Sequence, residues 1–473
     1  MLTLVLLAVA VRSARIDRPL LGDFATKSVV YAMIARNWAE GRTGLAYPRL
    51  DCLAGGRRSL HMLELPVSAY LSGWLWRSFG GSLDVWGRAT AVGFSGAAVG
   101  MLFLFVRRRH GQAAALGAGL ALALAPVSVI YGQTFMLEAS LVFFTVATFY
   151  ALDRWLERGR WPALAATAVL LALLLLTKVY MAVLLLPLVA AVVLPAARAT
   201  PSPPRAPRVA VGVAALCLAT APAAVWYHHA LVTVPTGPLA DQVYYSVRQS
   251  VSAHSGSHAL LASPDFWRQM LDDLAGVVLT PIGLSLAMVG LLDPRWRRHA
   301  VWLLAGLALI LLLPRKFYEM NYYWMAVLPP LCVLAGLGWQ VVWERIKPGR
   351  TAMVCLVGVL LLFSLRYAAR PAFVTPHEDQ GVVAAGLVVQ RLADAGEPVV
   401  TMHGSTIDLL YYCNRPGWAV AADTPDLAAA LDDCRRQGAR YLAVAGPDAT
   451  AGPALLESLD VIAQGEGFVI LGL

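Results

Sequence analysis

The chain has 473 residues, 58% of them hydrophobic and only 14% charged, with a net charge of +9 and a mean hydropathy of +0.63. A soluble chain is nearer a quarter charged, so these values exclude an ordinary soluble domain. The positive charge falls in short clusters between apolar runs, which is the pattern of membrane topology rather than of nucleic-acid binding. Six cysteines at irregular spacing give neither a disulfide framework nor a metal site, and Cys217, Cys332 and Cys355 inside apolar runs read as packing residues.

The first apolar run, Leu2–Val11, would rise only about 15 Å as a helix against roughly 30 Å of hydrocarbon. Either the helix continues past Arg12 or the chain begins further upstream. A cleaved signal peptide fits less well, because no basic residue precedes the run. Arg12–Val85 follows, with ten Lys/Arg and six Asp/Glu, too charged to lie in lipid. It contains an amphipathic stretch at Ala25–Gly41, with Val30, Met33, Ile34 and Trp38 at helical spacing. A second stretch, Leu65–Phe79, has Pro66 in its first turn and Tyr70, Trp74, Trp76 and Phe79 along it. Both are expected to lie along a membrane surface.

Ten more apolar runs follow, at Val85–Val106, Ala113–Tyr131, Phe135–Leu152, Ala163–Thr177, Val179–Leu194, Val209–Tyr227, Leu274–Leu292, Ala300–Leu313, Tyr322–Trp343 and Ala352–Tyr367. With the first they predict about eleven transmembrane helices. Basic loops follow every even-numbered run: Arg107–Arg109, then Arg154, Arg158 and Arg160, then Arg198, Arg205 and Arg208, then Arg295, Arg297 and Arg298, and lastly Arg345, Lys347 and Arg350. The positive-inside rule puts these in the cytoplasm and the remaining loops outside. Arg198–Arg208 reads as a proline-rich linker. The external loop His228–Asp273 carries His228, His229, His254 and His258 without a metal-binding spacing.

Beyond Tyr367 the composition becomes that of a small α/β unit. Strands are expected at Pro398–His403 and Ala439–Ala445, helices at Ser405–Cys413 and Asp426–Gln437, and edge strands within Val461–Leu473. There is no GxGxxG for a nucleotide. Cys413 and Cys434, on the oxidising side by this topology, are candidates to pair. The predicted organisation is a transmembrane domain over 1–367, with 12–85 as its first external loop, and an extracytoplasmic α/β domain over 368–473.

Candidate site residues are charges at the external face. Glu138 lies about a turn inside an apolar helix, where an ionisable group is costly unless it meets a cavity or a partner. A cavity carboxylate and a structural ion pair are both open. Asp23, after the Pro19–Gly22 turn, is either a site carboxylate or the cap of the helix near Ala25. Asp51 and Glu64 lie in loop context. Lys178 stands between two apolar runs, where snorkelling to the interface is its alternative, and Arg315 and Lys316 open an external loop. A carboxylate beside cations suits transfer from a lipid-linked phosphate: a base takes the acceptor proton while Lys/Arg stabilise the leaving phosphate.

The segments GDFATKSVVYAMIARNWAEG, HMLELPVSAYL, APVSVIYGQTFMLEASLVFF, LLTKVYMAVLLLPL and KFYEMNYYWMAVLPPLCVLAGLG, in this order, resemble the GT-C polytopic glycosyltransferases of the protein O-mannosyltransferase and aminoarabinose transferase branch. The resemblance covers roughly Arg15–Gly338. It implies a polyprenyl-phosphate sugar donor, inversion at the anomeric carbon, a glycan, lipid or protein acceptor, and no nucleotide sugar. It places the first-loop acidic residue on Asp23 and the second-loop one on Glu138. Many relatives have an Asp-Glu pair where this chain has Asp23-Phe24, so the base stays open among Asp23, Asp51 and Glu64. No WWD signature of the metal-dependent oligosaccharyltransferases is present, and no cofactor is expected.

The reading is an integral-membrane glycosyltransferase working at the external face among membrane lipids, with no nucleic-acid partner. Asp23 is the first choice of base; Glu138, Lys178, Tyr180, Arg315, Lys316 and Tyr318 bind substrate. The rivals are a flippase for lipid-linked sugars, with Glu138 and Lys178 gating a path, and a non-catalytic scaffold. A reporter fused after Leu473 should be active outside the cytoplasm and one at Pro203 inside; the reverse pattern in a dual-reporter assay would sink the topology.

Overall fold

The computed structural model describes residues 1–197, 205–252, 257–346, 349–451 and 458–473. Most of the expected Arg198–Arg208 linker, His254 and Lys347 lie outside these residues. Arg205 already opens a helix, Arg205–Leu218.

The chain is mostly helical, and every apolar run lies mainly on helix. Among the described residues, however, length and composition alone give three spans, Leu83–His110, Pro207–Thr233 and Asn321–Arg345, or up to five if two bent pairs each count as one. Several of the eleven expected spans are shorter helices or are broken. The run at Leu274–Leu292 turns through 105° between Pro264–Val278 and Thr280–Gly290. The run at Ala113–Tyr131 divides into Gln112–Leu124 and Pro126–Tyr131. Proline disfavours helical backbone in the residue before it, and Ala125 is extended (φ −57°, ψ 125°).

That break exposes carbonyls, and Arg12 satisfies them. The first helix is Leu2–Ser13, so it does continue past Arg12, and Arg12 lies in its last turn rather than in the external loop. Its guanidinium is fully buried and donates to the Leu122, Ala123 and Ser128 carbonyls at 3.3, 2.9 and 3.1 Å and to Ser128 Oγ at 2.8 Å. A cation at a helix C-terminus is also favoured by the helix dipole.

At the centre of the bundle, Trp324–Ile346 packs between Gln112–Leu124 and Thr280–Gly290. Small residues permit the approach. A Cβ at Gly338 would stand 1.8 Å from the Leu286 carbonyl oxygen, and one at Gly336 2.4 Å from that of Ala114.

One end of the bundle carries a sheet that joins distant parts of the sequence. Its strands are β1 (Arg49–Ala54), β2 (Arg57–Met62), β3 (Val243–Ser246), β4 (Val399–Met402), β5 (Gly417–Ala419), β6 (Tyr441–Ala445), β7 (Val461–Gly465) and β8 (Phe468–Gly472). The order is β3-β2-β1-β5-β4-β6-β8-β7. β1 and β2 are an antiparallel hairpin, and β1 meets β5 in parallel at Cys52 and Gly417. Asp51 is therefore on a strand, and β3 lies in the segment read as a histidine-bearing loop. The C-terminal elements fall where expected, down to the Asp426 side chain capping Leu427–Arg436 by accepting from Ala429 N–H at 3.2 Å. They form one continuous sheet with the first loop rather than a detached layer. Cys413 and Cys434 are free thiols in separate apolar clusters, so the expected pairing is not made.

The helix Ala25–Ala39 corrects another expectation. It does not lie along a surface: residues from Ser28 to Asn37 are buried on every face. Val67–Phe79 packs against one side and Asp408–Cys413 against another. By contrast Trp74 and Phe79 are exposed, as an interfacial helix requires.

Gly338→Ala should destabilise the protein by about 1–3 kcal/mol through overpacking, read as a lower melting temperature in detergent. Gly358→Ala, which meets open space, should be neutral or slightly stabilising. Equal melting of the two variants would mean that the central helices do not interlock this closely.

Candidate active site

The helix Ala25–Ala39 starts from two left-handed residues, Gly22 (φ 94°) and Phe24 (φ 56°). A bulky residue with positive φ is strained. Here the strain sets the Phe24 ring edge-on to Tyr131 and Tyr322, at centroid separations of 6.0 and 5.3 Å. Asp23 does not cap this helix; the capping position is Phe24, and no side chain bonds to the first turn. Asp23 is instead exposed, within electrostatic reach of Tyr131 and Arg18.

One helical turn on, Lys27 enters the site, and one turn further Tyr31. Lys27 Nζ donates to Tyr322 Oη at 3.0 Å, lies 4.1 Å from that ring's centroid and stands 3.9 Å from Glu138 Oε1. Tyr31 Oη donates to Glu64 Oε1. Neither Lys27 nor Tyr31 was singled out from the sequence. The signal was the i, i+4 spacing of Lys27 and Tyr31, which puts both on one face of the helix Ala25–Ala39.

Glu64 lies between β2 and the helix Val67–Phe79, and Lys178 between Trp161–Thr177 and the 3-10 turn Val179–Leu184. A backbone bond from Leu65 N–H to the Leu176 carbonyl (3.1 Å) brings the two junctions together, and Lys178 Nζ then reaches Glu64 Oε1 at 2.6 Å. Both side chains are buried, so Lys178 does not snorkel. Burial opposes ionisation of Glu64, but Lys178, then Lys27, with hydrogen bonds from Lys178 and Tyr31, hold its carboxyl down at about 2.

Glu138 opens the helix Glu138–Arg158, where the dipole favours a carboxylate. It is 1% exposed, and neither carboxylate oxygen has a hydrogen-bond partner among the described residues. Lys27 and Lys178 each stand 3.9 Å from Oε1. The result is a chain of alternating charge, Lys27, Glu138, Lys178, Glu64, buried except at Lys27, with Tyr31 and Tyr322 at its edges.

Lys316, on Pro314–Glu319, adds to the positive side. Its Nζ is 3.2 Å from Ser250 Oγ. Burial, then Lys27 and Lys178, push it down to about 8, against the opposing effect of Glu64 and Glu319. The Tyr180 ring is 5.3 Å from that of Tyr323, beside the cluster.

Three predicted site residues fall elsewhere. Asp51 is fully buried and bonded to Arg36, Arg58 and Asn37. Burial opposes its ionisation, but Arg36 and Arg58 hold it below the usual carboxylate range. Arg36 also donates to the Tyr411 carbonyl (3.0 Å), so this knot ties the first loop to the C-terminal unit. Arg315 is exposed and pairs with Glu319 at 2.6 Å. Tyr318 stacks on Phe266 at 6.1 Å. Among the described residues no three His, Cys, Asp or Glu side chains are grouped to hold a metal ion.

Comparison with known proteins agrees with this architecture. Residues 66–226 match the family described as dolichyl-phosphate-mannose-protein mannosyltransferase. The fold matches ArnT from Cupriavidus metallidurans bound to undecaprenyl phosphate with a TM-score of 0.62 at 15% identity, over 100% of this chain and 97% of that one. It matches the Archaeoglobus fulgidus oligosaccharyltransferase in complex with Zn and sulfate with a TM-score of 0.60 at 12% identity, over 94% of this chain and 67% of that one. Archaeal AglB from the same organism, in complex with an inhibitory peptide and a dolichol-phosphate, gives 0.54 at 10% identity, over 94% and 69%. No curated protein matches the chain significantly. The chain shares the overall fold of ArnT and of the archaeal oligosaccharyltransferase, and the family model covers residues 66–226 of it.

Breaking the Lys178–Glu64 pair from one side leaves an uncompensated buried charge, which costs about 3–5 kcal/mol. Lys178→Met should therefore lower the melting temperature sharply, and adding Glu64→Gln should recover much of the loss. Additive losses in the double variant would mean the two side chains do not depend on each other.

Proposed function

We propose that the protein is a membrane glycosyltransferase. It takes a sugar from a polyprenyl monophosphate at the extracytoplasmic face and passes it, with inversion, to a hydroxyl of a glycan, lipid or protein. The observation that carries this reading is the chain of Lys27, Glu138, Lys178 and Glu64 beside an exposed carboxylate, Asp23. The match to a mannosyltransferase family over 66–226 supports the reaction class. The undecaprenyl phosphate of ArnT and the dolichol-phosphate of AglB support the donor class.

In this reaction the acceptor oxygen bonds to the anomeric carbon, the bond from that carbon to the phosphate oxygen breaks, and the phosphate leaves with the electron pair. The acceptor proton goes to a general base. Among the three candidate carboxylates the local chemistry favours Asp23. Glu64, held at about 2 by Lys178 and Tyr31, has little proton affinity to offer, and Asp51 is committed to two arginines. Asp23 is exposed and makes no hydrogen bond among the described residues.

Lys27 and Lys316 are the cations placed to meet the phosphate, since each retains some exposure. Lys178 sets the field behind them while neutralised by Glu64. Charge-assisted bonds of this kind stabilise a leaving phosphate. Glu138, with two oxygens lacking hydrogen-bond partners, is the acceptor group for sugar hydroxyls. Arg315, paired on the surface, has no part in this assignment.

Purified protein given a radiolabelled polyprenyl-phosphate sugar should transfer or hydrolyse it. Movement of the lipid across a vesicle without turnover would favour a flippase, and neither outcome would leave a scaffold. Asp23→Asn should keep the fold and donor binding but lose about 10²–10⁴-fold in turnover; normal turnover in that variant would remove Asp23 as the base.

A further inference from the structure

The other end of the bundle holds a second site. A cavity of about 420 Å³, within the size range of small-molecule sites, lies where Leu83–His110, Glu138–Arg158, Leu185–Ala197 and the 3-10 turn Pro294–His299 come together. It is far from the charged chain described above. Asp84, at the start of Leu83–His110, accepts from Tyr411 and Tyr412 of the C-terminal unit, while Arg109, at the end of the same helix, lines the cavity. Twenty-five residues of helix put about 38 Å between them.

The lining has two characters. Arg109, Arg297 and Arg298 form a basic rim, with Asp153 the acid among them. Asp153 is already engaged by Arg109 at 2.5 Å and by Arg108 at 3.2 Å. His299 is held by His110, ring nitrogen to ring nitrogen at 2.8 Å. Arg297 and Arg298 are exposed, and no acidic side chain pairs with either among the described residues. Behind the rim the wall is apolar, formed by Leu152, Leu156, Leu194 and Trp302. Trp302 stacks on Phe149 at 4.0 Å, and its buried indole N–H has no hydrogen-bond partner among the described residues.

A cavity with unbalanced positive charge at its rim and an apolar wall fits an amphiphile with an anionic head. Basic pockets between membrane helices bind anionic lipid head groups for this reason. We propose that the cavity seats an anionic phospholipid, with its phosphate between Arg297 and Arg298 and the upper part of one acyl chain along Leu152, Leu156 and Leu194. The excess positive charge selects an anionic head over a zwitterionic one. This does not depend on the transferase reading, since no residue of the charged chain takes part.

The test is native mass spectrometry of the full-length protein titrated with phosphatidylglycerol or phosphatidylcholine. Phosphatidylglycerol should be retained preferentially. Arg297→Ala and Arg298→Ala should each weaken it about fivefold, and together roughly thirty-fold. Ala190→Trp, which fills the apolar part, should weaken it as well, while Asp23→Asn should leave it unchanged. Both arginines are exposed, so unchanged melting of the double variant would show that the fold is intact. Equal retention of the two lipids, undiminished phosphatidylglycerol binding by the folded double variant, or tighter binding of polyprenyl phosphate at the same arginines would overturn the proposal.

Discussion

The bond between Lys178 and Glu64 is the constraint on which the site end of the molecule depends. Both groups are buried, and each alone would be several kcal/mol out of place in an apolar surrounding. They are tolerable only together, at 2.6 Å, with Tyr31 filling a further position on the carboxylate. Each sits at a junction between elements, where the backbone is free to turn its side chain inward. The Leu65–Leu176 backbone bond holds the two junctions against each other. Once Lys178 is held, Glu138 has a cation on one side and Lys27 on the other, and the helix carrying Lys27 can go no deeper.

The same logic recurs with different partners. Arg12 is as buried as Lys178 but meets no carboxylate; it bonds the Leu122 and Ala123 carbonyls freed by the Pro126 break, and Ser128 beyond it. Arg36 meets Asp51 on a first-loop strand and the Tyr411 carbonyl, 375 residues on from Arg36. Arg88 donates to the Arg18, Pro19 and Gln133 carbonyls. In each case a guanidinium, which has many donors in a fixed fork and remains charged, replaces water at a place where chain segments end. Low overall charge content therefore does not mean that charge is unimportant here. The few buried charges are the joints.

This explains which features could be read in the sequence. Helices announced themselves by apolar runs, and the C-terminal strands by short β-branched segments such as Val399–Met402, because both signals are local. Glu138 and Lys178 stood out because each is a lone charge in an apolar context. Lys27 did not, since it lies in a segment with many charges, and only its i, i+4 spacing to Tyr31 marks it. The strand pair β1–β2 was missed because Arg-rich sequence such as Arg57–Met62 looks like a solvated loop; its burial comes from β3 and β5, which are remote in sequence. The burial of Ala25–Ala39 was illegible for the same reason. Its polar residues Arg36 and Asn37 mimic a wet face, and only Asp51, brought in by a different strand, makes them interior residues.

The C-terminal unit is mechanically continuous with the site. Its helix Asp408–Cys413 lies against Ala25–Ala39, with Asp408 close to Thr26, the residue before Lys27. Burial pushes Asp408 up to about 7, against the opposing effects of His403 and Thr26. His403 is itself held by Asp379 at 3.1 Å. Tyr411 and Tyr412, from the same short helix, clamp Asp84 at the head of Leu83–His110. One six-residue helix thus grips both the element that carries Lys27 and the start of a long bundle helix. A displacement of the C-terminal unit cannot be absorbed in a linker, because β1 and β5 share a sheet and Arg36 is bonded across the same boundary. The same boundary meets the start of Ala25–Ala39, where the left-handed Phe24 separates Asp23 from the helical turn that carries Lys27.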